Sequence, residues 1–259
     1  MEQRKNRYAN LVKKRKVCQN CKDKGMINPS SDDLAEYDKV NAARDHINPW
    51  SRWQHGLSAD ILLVGQDWGT PKLFKENEGQ DPGNNCPTNV RICKLFKSLD
   101  KTYQIGVADR YVDYTLSDSR LFFTNIVQCL KPGDKMSSPL SSEVANECAE
   151  EFLRDLIGII KPKVIIALGN KAFQSLVKLY KISAPSSLRE IFLPDGGYKD
   201  EYKTGFALLG LTAKLFPVYH CSPLGLANRG PNGLTKDERF ELQKKDWIDI
   251  KNYLRCTNN

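Results

Sequence analysis

The chain has 259 residues, 40% hydrophobic and 27% charged, a globular composition long enough for one large α/β core or two small ones. Its 39 Lys and Arg against 31 Asp and Glu leave a formal charge of +8, which suits an anionic partner, nucleic acid first, or simply a solvated basic surface. The apolar runs are too short to cross a bilayer and no apolar signal stretch follows the basic N-terminus, so a cytoplasmic, nucleoid-associated monomer with no membrane contact is expected.

In chain order, the basic run Lys13-Lys14-Arg15-Lys16 predicts a phosphate-facing helix leading into Cys18 and Cys21. Residues 22–60 carry Trp50, Trp53, His46 and His55 beside Arg44 and Arg52. They read as an inserted segment, either a small satellite core or a contact for single-stranded DNA. Four apolar runs, Ile61–Gly65, Leu121–Val127, Lys163–Leu168 and Leu215–His220, have the composition of strands buried on both faces. Helical periods lie between them. Val144, Cys148, Phe152, Leu156 and Ile160 make one apolar face over Ser142–Ile160, closed by Pro162, and Phe173, Leu176, Val177 and Tyr180 make a second that opens at Asn170. Thr235 with Glu238 three residues later is a capping box for a third helix, whose face carries Phe240, Trp247, Ile250 and Leu254. Residues 66–89 and 184–206, rich in Gly and Pro, predict loops. The expectation is one α/β domain over 1–259: a parallel four-stranded sheet with helices on both faces.

In open α/β sheets, ligands bind beyond the carboxyl ends of the strands. Gly65-Gln66-Asp67-Trp68-Gly69 follows the first run, and Asn125 leads to Cys129 after the second. Gly169-Asn170 follows the third, and His220-Cys221-Ser222-Pro223-Leu224 closes the fourth. A carboxylate, an amide and an imidazole on one rim suit cleavage of a glycosidic bond. The carboxylate steadies an oxocarbenium-like sugar and orients water, the amide reads a base edge, and the imidazole stabilises charge on the departing base. Taken singly, each residue has a plainer role: Asp67 as a helix N-cap, Asn125 as a turn residue, His220 as a satisfied polar group, Leu224 as core. A generic nucleotide-binding protein is disfavoured, because neither GxGxxG nor a P-loop follows the first run.

Eight cysteines in 259 residues are too sparse for a disulfide scaffold. The pairs Cys18/Cys21 and Cys129/Cys148 supply four thiolates, enough for a closed zinc site or a [4Fe–4S] cluster, and the spacing leaves both open. Cys86, Cys93, Cys221 and Cys256 have no pairing signal.

Gly65-Gln66-Asp67 resembles the start of the water-activating motif of the uracil-DNA glycosylase superfamily, and His220–Leu224, continuing to Arg229-Gly230, resembles its second motif. Phe123–Cys129 with Pro132 and Gly133 resembles the uracil-reading strand of the iron–sulfur (family 4) branch. The strings Glu143–Cys148, Lys161–Ile165 and Ala167–Gly169 follow that branch too. The resemblance covers roughly residues 18–22 and 60–254. It implies a hydrolase of base-excision repair acting on a flipped uracil or deaminated base in DNA. Asp67 and His220 would then be catalytic, Asn125 would read the base, and the backbone at Gly65 and Gln66, with Ser222, would help hold it. Leu224 would fill the gap left by the flipped nucleotide, with Arg229 at the DNA. Cys18, Cys21, Cys129 and Cys148 would hold a structural [4Fe–4S] cluster. The rival from another class is a catalytically silent DNA- or lesion-binding protein of the same fold and cluster.

The pattern departs from the branch at several positions. Gln66-Asp67 follows the cluster-free branch, Trp68 replaces a Pro, and Thr88 stands where the base-stacking aromatic should fall, leaving Trp68 or Phe74 to supply that face. Gly69 stands where a Tyr would block the thymine methyl, which implies a roomy pocket. The loop Leu130–Ser138 lacks the His of the covalently linking subgroup, so a turnover enzyme is expected.

Overall fold

The computed structural model describes residues 2–42, 46–48, 56–79, 86–99, 120–133 and 139–257. Its strands are β1 (Ile61–Gly65), β2 (Leu121–Asn125), β3 (Val164–Leu168), β4 (Phe206–Ala207) and β5 (Lys214–Val218), in the order β2-β1-β3-β5-β4. The four apolar runs are the parallel strands. Every residue of β1 and β3 is buried, which is why their sequences run apolar without alternation. The sheet has five strands rather than four. β4, inside the stretch expected to be loop, pairs antiparallel with Lys214 and Leu215 at the edge, and two residues are too few to show a period.

The helices are α1 (Glu2–Lys16), α2 (Ala35–Ala42), α3 (Pro71–Glu76), α4 (Pro87–Leu99), α5 (Ser142–Cys148), α6 (Arg154–Ile160), α7 (Asn170–Leu179), α8 (Pro223–Ala227) and α9 (Lys236–Cys256). α5 runs into α6 through one π-helical turn, Ala149–Leu153, and Lys161 ends α6 in the left-handed region, just before Pro162. The capping box at Thr235 opens α9 as expected. α1 packs on α6 and α5 on α7, while α4 packs on α9, with Phe96 edge-on to Trp247 at 5.1 Å. The connection leaving β1 runs to β2 on one side of the β1/β3 pair, and the connection leaving β3 runs to β4 and β5 on the other. A crevice therefore opens beyond the carboxyl ends of β1 and β3.

Of the two readings of the inserted segment, its described part forms a satellite core. Leu34, with Ile27 and Tyr37, packs on Trp68, Phe74, Leu73 and Leu130. Trp50, Trp53, His55, Arg44 and Arg52 lie outside the described residues. Arg15 is not a phosphate-facing cation. It is 1% exposed and pairs with Asp38 at 3.3 Å and with the His46 carbonyl at 3.2 Å. Burying that guanidinium requires partners, and the segment supplies them.

Candidate active site

The turn after β1 is assembled against the turn after β2. Ile126 N–H donates to Gly65 O at 2.9 Å, Val127 N–H to Gln66 O at 3.1 Å, and Lys131 N–H to Gly69 O at 2.8 Å. Gly65 faces Asn125 in the strand register. A Cβ on Gly65 would stand 2.1 Å from Asn125 Oδ1, so only glycine lets that amide lie across the strand end. Gly69 has φ of 96°, which directs its N–H onto Asp67.

Asp67 is held on three sides. Its Oδ1 accepts from Gly69 N–H at 3.1 Å and lies 3.2 Å from Lys131 Nζ, and its Oδ2 accepts from Gln66 Nε2 at 2.8 Å. Lys131 and Asp67 side chains are 3% and 6% exposed. Asn125 is fixed from behind: Gln128 Nε2 donates to its carbonyl at 2.6 Å and to Thr124 Oγ1 at 3.1 Å, and Thr124 Oγ1 donates to Asn48 Oδ1 at 2.9 Å. Among the described residues, the side-chain amide of Asn125 itself has no recorded hydrogen-bond partner.

The turn after β5 is built locally. Ser222 caps α8 by accepting from Gly225 N–H at 3.1 Å, while its own N–H donates to His220 Nδ1 at 3.0 Å. With Nδ1 accepting, the proton of the neutral imidazole sits on Nε2. Burial holds the His220 pKa below its ordinary value, and the Asp67 charge opposes that shift. Cys221 O accepts from Arg91 at 3.0 Å, and Gln243 reaches the carbonyls of Tyr219 and His220. Leu224 is 72% exposed at the head of α8.

Cys18, Cys21, Cys129 and Cys148 line one cavity together with Asn28, Val127, Glu147 and Phe152. Burial first, then the neighbouring Glu147 charge, pushes the Cys21 thiol up to about 11. Burial, then the Cys18 and Cys21 thiols, takes Cys129 to about 12. Cys148 is raised by burial and by Cys129. Among the described residues, no three thiol, imidazole or carboxylate groups converge closely enough to share a single metal ion.

Asp67, Asn125 and His220 thus sit on the turns that follow β1, β2 and β5. Three other expectations are corrected. Arg229 is 2% exposed and forms a two-pronged pair with Asp246 at 2.8 and 2.7 Å, over the rings of Phe192 and Tyr219. It belongs to the core and is not a DNA contact. Phe74 is fully buried and Trp68 is 6% exposed, both in the satellite core, so neither presents a face to a base. Ser222 spends its hydroxyl on the α8 cap and its N–H on His220, so it orients the imidazole. Two site residues were not singled out by sequence reasoning. Lys131 carried no signal. Phe123 is half-buried, edge-on to Trp68 at 5.3 Å, and its ring comes within 3.6 Å of the Cβ position of Gly65. It shares the apolar-strand pattern that concealed it.

The family model described as uracil DNA glycosylase superfamily matches residues 55–251. Among curated proteins, the chain is 20% identical over 223 residues to a type-5 uracil-DNA glycosylase of Pyrobaculum aerophilum, a match spanning 85% of this chain and 84% of that one.

Proposed function

We propose that this chain, which belongs to the uracil DNA glycosylase superfamily and is a DNA glycosylase by that membership, hydrolyses the N-glycosidic bond of uracil or a related deaminated base flipped out of DNA. The observation that carries the reading is a buried carboxylate, an amide without a partner among the described residues and a neutral imidazole, all at the carboxyl end of one sheet. Asn125 reads the edge of the flipped base, since its side-chain amide has no partner among the described residues. Asp67 steadies the sugar cation and orients water. His220 donates from Nε2 to the oxygen on which the departing base gathers charge, a contribution commonly worth about 3–4 kcal/mol. Phe123 offers the aromatic face that Thr88 cannot. Leu224, exposed on a capped helix, fills the vacated stack. Gly69 carries no side chain toward the base, and Trp68 is tied into the satellite core, so the pocket discriminates weakly against 5-substituted uracils.

The four thiols fit an iron–sulfur cluster better than zinc. They line one cavity without the close convergence that a single tetrahedral ion at about 2.3 Å demands. Cys18, Cys21, Cys129 and Cys148 would hold a [4Fe–4S] cluster, whose iron–thiolate bonds would tie the N-terminal arm to α5. No step of hydrolysis uses it.

The test is base release from DNAs carrying uracil, hypoxanthine, xanthine or a thymine mismatch, with Asp67→Asn as the paired variant. Wild type should release at least uracil, and Asp67→Asn should lose on the order of 100-fold or more in rate while still binding DNA. Binding without release from any DNA would favour a silent lesion-binding protein instead.

A further inference from the structure

A buried lysine next to the carboxylate of a hydrolytic site is unusual, because its ammonium opposes the cation that forms on the sugar. Lys131 has that position, 3.2 Å from Asp67 Oδ1 with both side chains nearly sealed from water. Its backbone is held as tightly as its side chain. Lys131 N–H donates to Gly69 O at 2.8 Å, and the preceding Leu130 exchanges both backbone hydrogen bonds with Ile27 at 2.9 and 3.0 Å. Cys129 lies two residues before it, on the wall of the thiol cavity. The span 129–131 therefore runs between the N-terminal arm and the Asp67 turn.

The acceptor positions on the carboxylate show what this arrangement does. A carboxylate has about four lone-pair sites, two on each oxygen. Gly69 N–H takes one on Oδ1, where Lys131 Nζ also lies in an ion pair at 3.2 Å, and Gln66 takes one on Oδ2. Among the described residues, an acceptor position remains open on Oδ2. A carboxylate with free torsion would not aim its remaining lone pair. We propose that Lys131 is a positioning residue for hydrolysis. It holds Oδ1 in an ion pair and so leaves the open site of Oδ2 for the attacking water. Through the 129–131 span it also makes the aim of Asp67 depend on the integrity of the thiol cavity. The cost of its charge near the sugar is limited because it engages the oxygen away from the water. This inference rests on the hydrolytic reading of Asp67.

The test compares wild type, Lys131→Met, Lys131→Gln and Lys131→Arg, matched for folded fraction and iron content, in single-turnover base release and in binding to uracil-containing DNA. Lys131→Met should slow release on the order of 100-fold, the scale of a misplaced reacting group, with DNA affinity unchanged. Lys131→Arg should recover much of the rate by restoring a cation at Oδ1, and Lys131→Gln, a neutral donor, should fall between them and serves if the Met variant does not fold. Adding Asp67→Asn to Lys131→Met should cost little more than Asp67→Asn alone, because both act through one carboxylate. Full rate in Lys131→Met and Lys131→Gln, losses that simply add in the double variant, or rate and affinity falling together would each overturn the proposal. An inactive wild type would sink the hydrolytic reading and this inference with it. An active wild type indifferent to Lys131 would sink this inference alone.

Discussion

The two sides of the rim are built differently. On the Asp67–Asn125 side, local bonds from Gln66, Gly69 and Gln128 are joined by constraints from distant parts of the chain: Asn48 from the inserted segment, Lys131 on the carboxylate, and Ile27 pairing with Leu130. On the His220 side, the key bonds span two or three residues, from Ser222 N–H to Nδ1 and from Gly225 N–H to Ser222 Oγ. Among the described residues, the remote anchors there act on the backbone, from Arg91 and Gln243, or on the underlying core, through Arg229 and Asp246. A capped helix aims an imidazole with little outside help, whereas the buried Asp67 carboxylate takes its cationic partner, Lys131, from the turn after another strand.

The largest effect expected from breaking this contrast is on stability beneath the His220 side. Arg229→Ala leaves Asp246 buried without its cation, a change that typically costs about 3–5 kcal/mol. Urea unfolding of the variant should show that loss, and variant that remains folded should bind DNA as wild type does. A loss under about 1 kcal/mol with weakened DNA binding would return Arg229 to the surface role that the sequence suggested.

That reversal shows where sequence reading stops. The four parallel strands and the helices at Ser142, Asn170 and Thr235 were legible because burial on both faces and a 3.6-residue period write themselves into composition. The placement of Asp67, Asn125 and His220 at the ends of β1, β2 and β5 was legible because the strands were, and ligands in this architecture bind at strand ends. β4 was not, since two residues carry no period. Arg15 and Arg229 read as surface cations, and Lys131 carried no signal, because such side chains are buried only when paired and their partners lie at Asp38, Asp246 and Asp67, separations that one sequence does not reveal. Phe74 and Phe123 were indistinguishable as apolar residues, and packing alone sealed Phe74 inside the satellite core and left Phe123 half-buried at its edge, beside Gly65.

A second experiment sharpens the comparison by loosening one side only. Gln128 N–H donates to Cys148 Sγ at 3.3 Å, so Cys148→Ser perturbs the strand end that carries Asn125 as well as the proposed cluster. The variant should lose bound iron and slow base release by about tenfold or more, the usual scale for removing a supporting partner of a site. Hydrogen exchange should quicken at residues 126–131 and stay unchanged at 222–226. Equal loss of protection on both sides, or stoichiometric zinc in anaerobically purified wild type, would contradict the asymmetry and the cluster respectively.

The smallest effect expected is a pH dependence that couples the two sides. The folded pKa of His220 lies below its ordinary value of 6.5 because burial disfavours the imidazolium, with Asp67 pulling the other way. Well above pH 6.5 the group is neutral in folded and unfolded chains and stability is unaffected. As the pH falls from there through the lowered folded value, the unfolded chain takes up a proton that the folded chain resists, so stability drops across that window. Protonation also removes the Nδ1 lone pair that Ser222 N–H uses, which should release the imidazole from its aim and lower activity over the same range. The thermal midpoint should therefore fall more in wild type than in His220→Gln between about pH 7 and about pH 5. Asp67→Asn removes the charge that favours the imidazolium, so its His220 should titrate lower still and its acid sensitivity should extend further. With three histidines in the chain, an NMR titration follows His220 directly. A His220 that titrates identically in wild type and Asp67→Asn would mean that the carboxylate and the imidazole do not share one site.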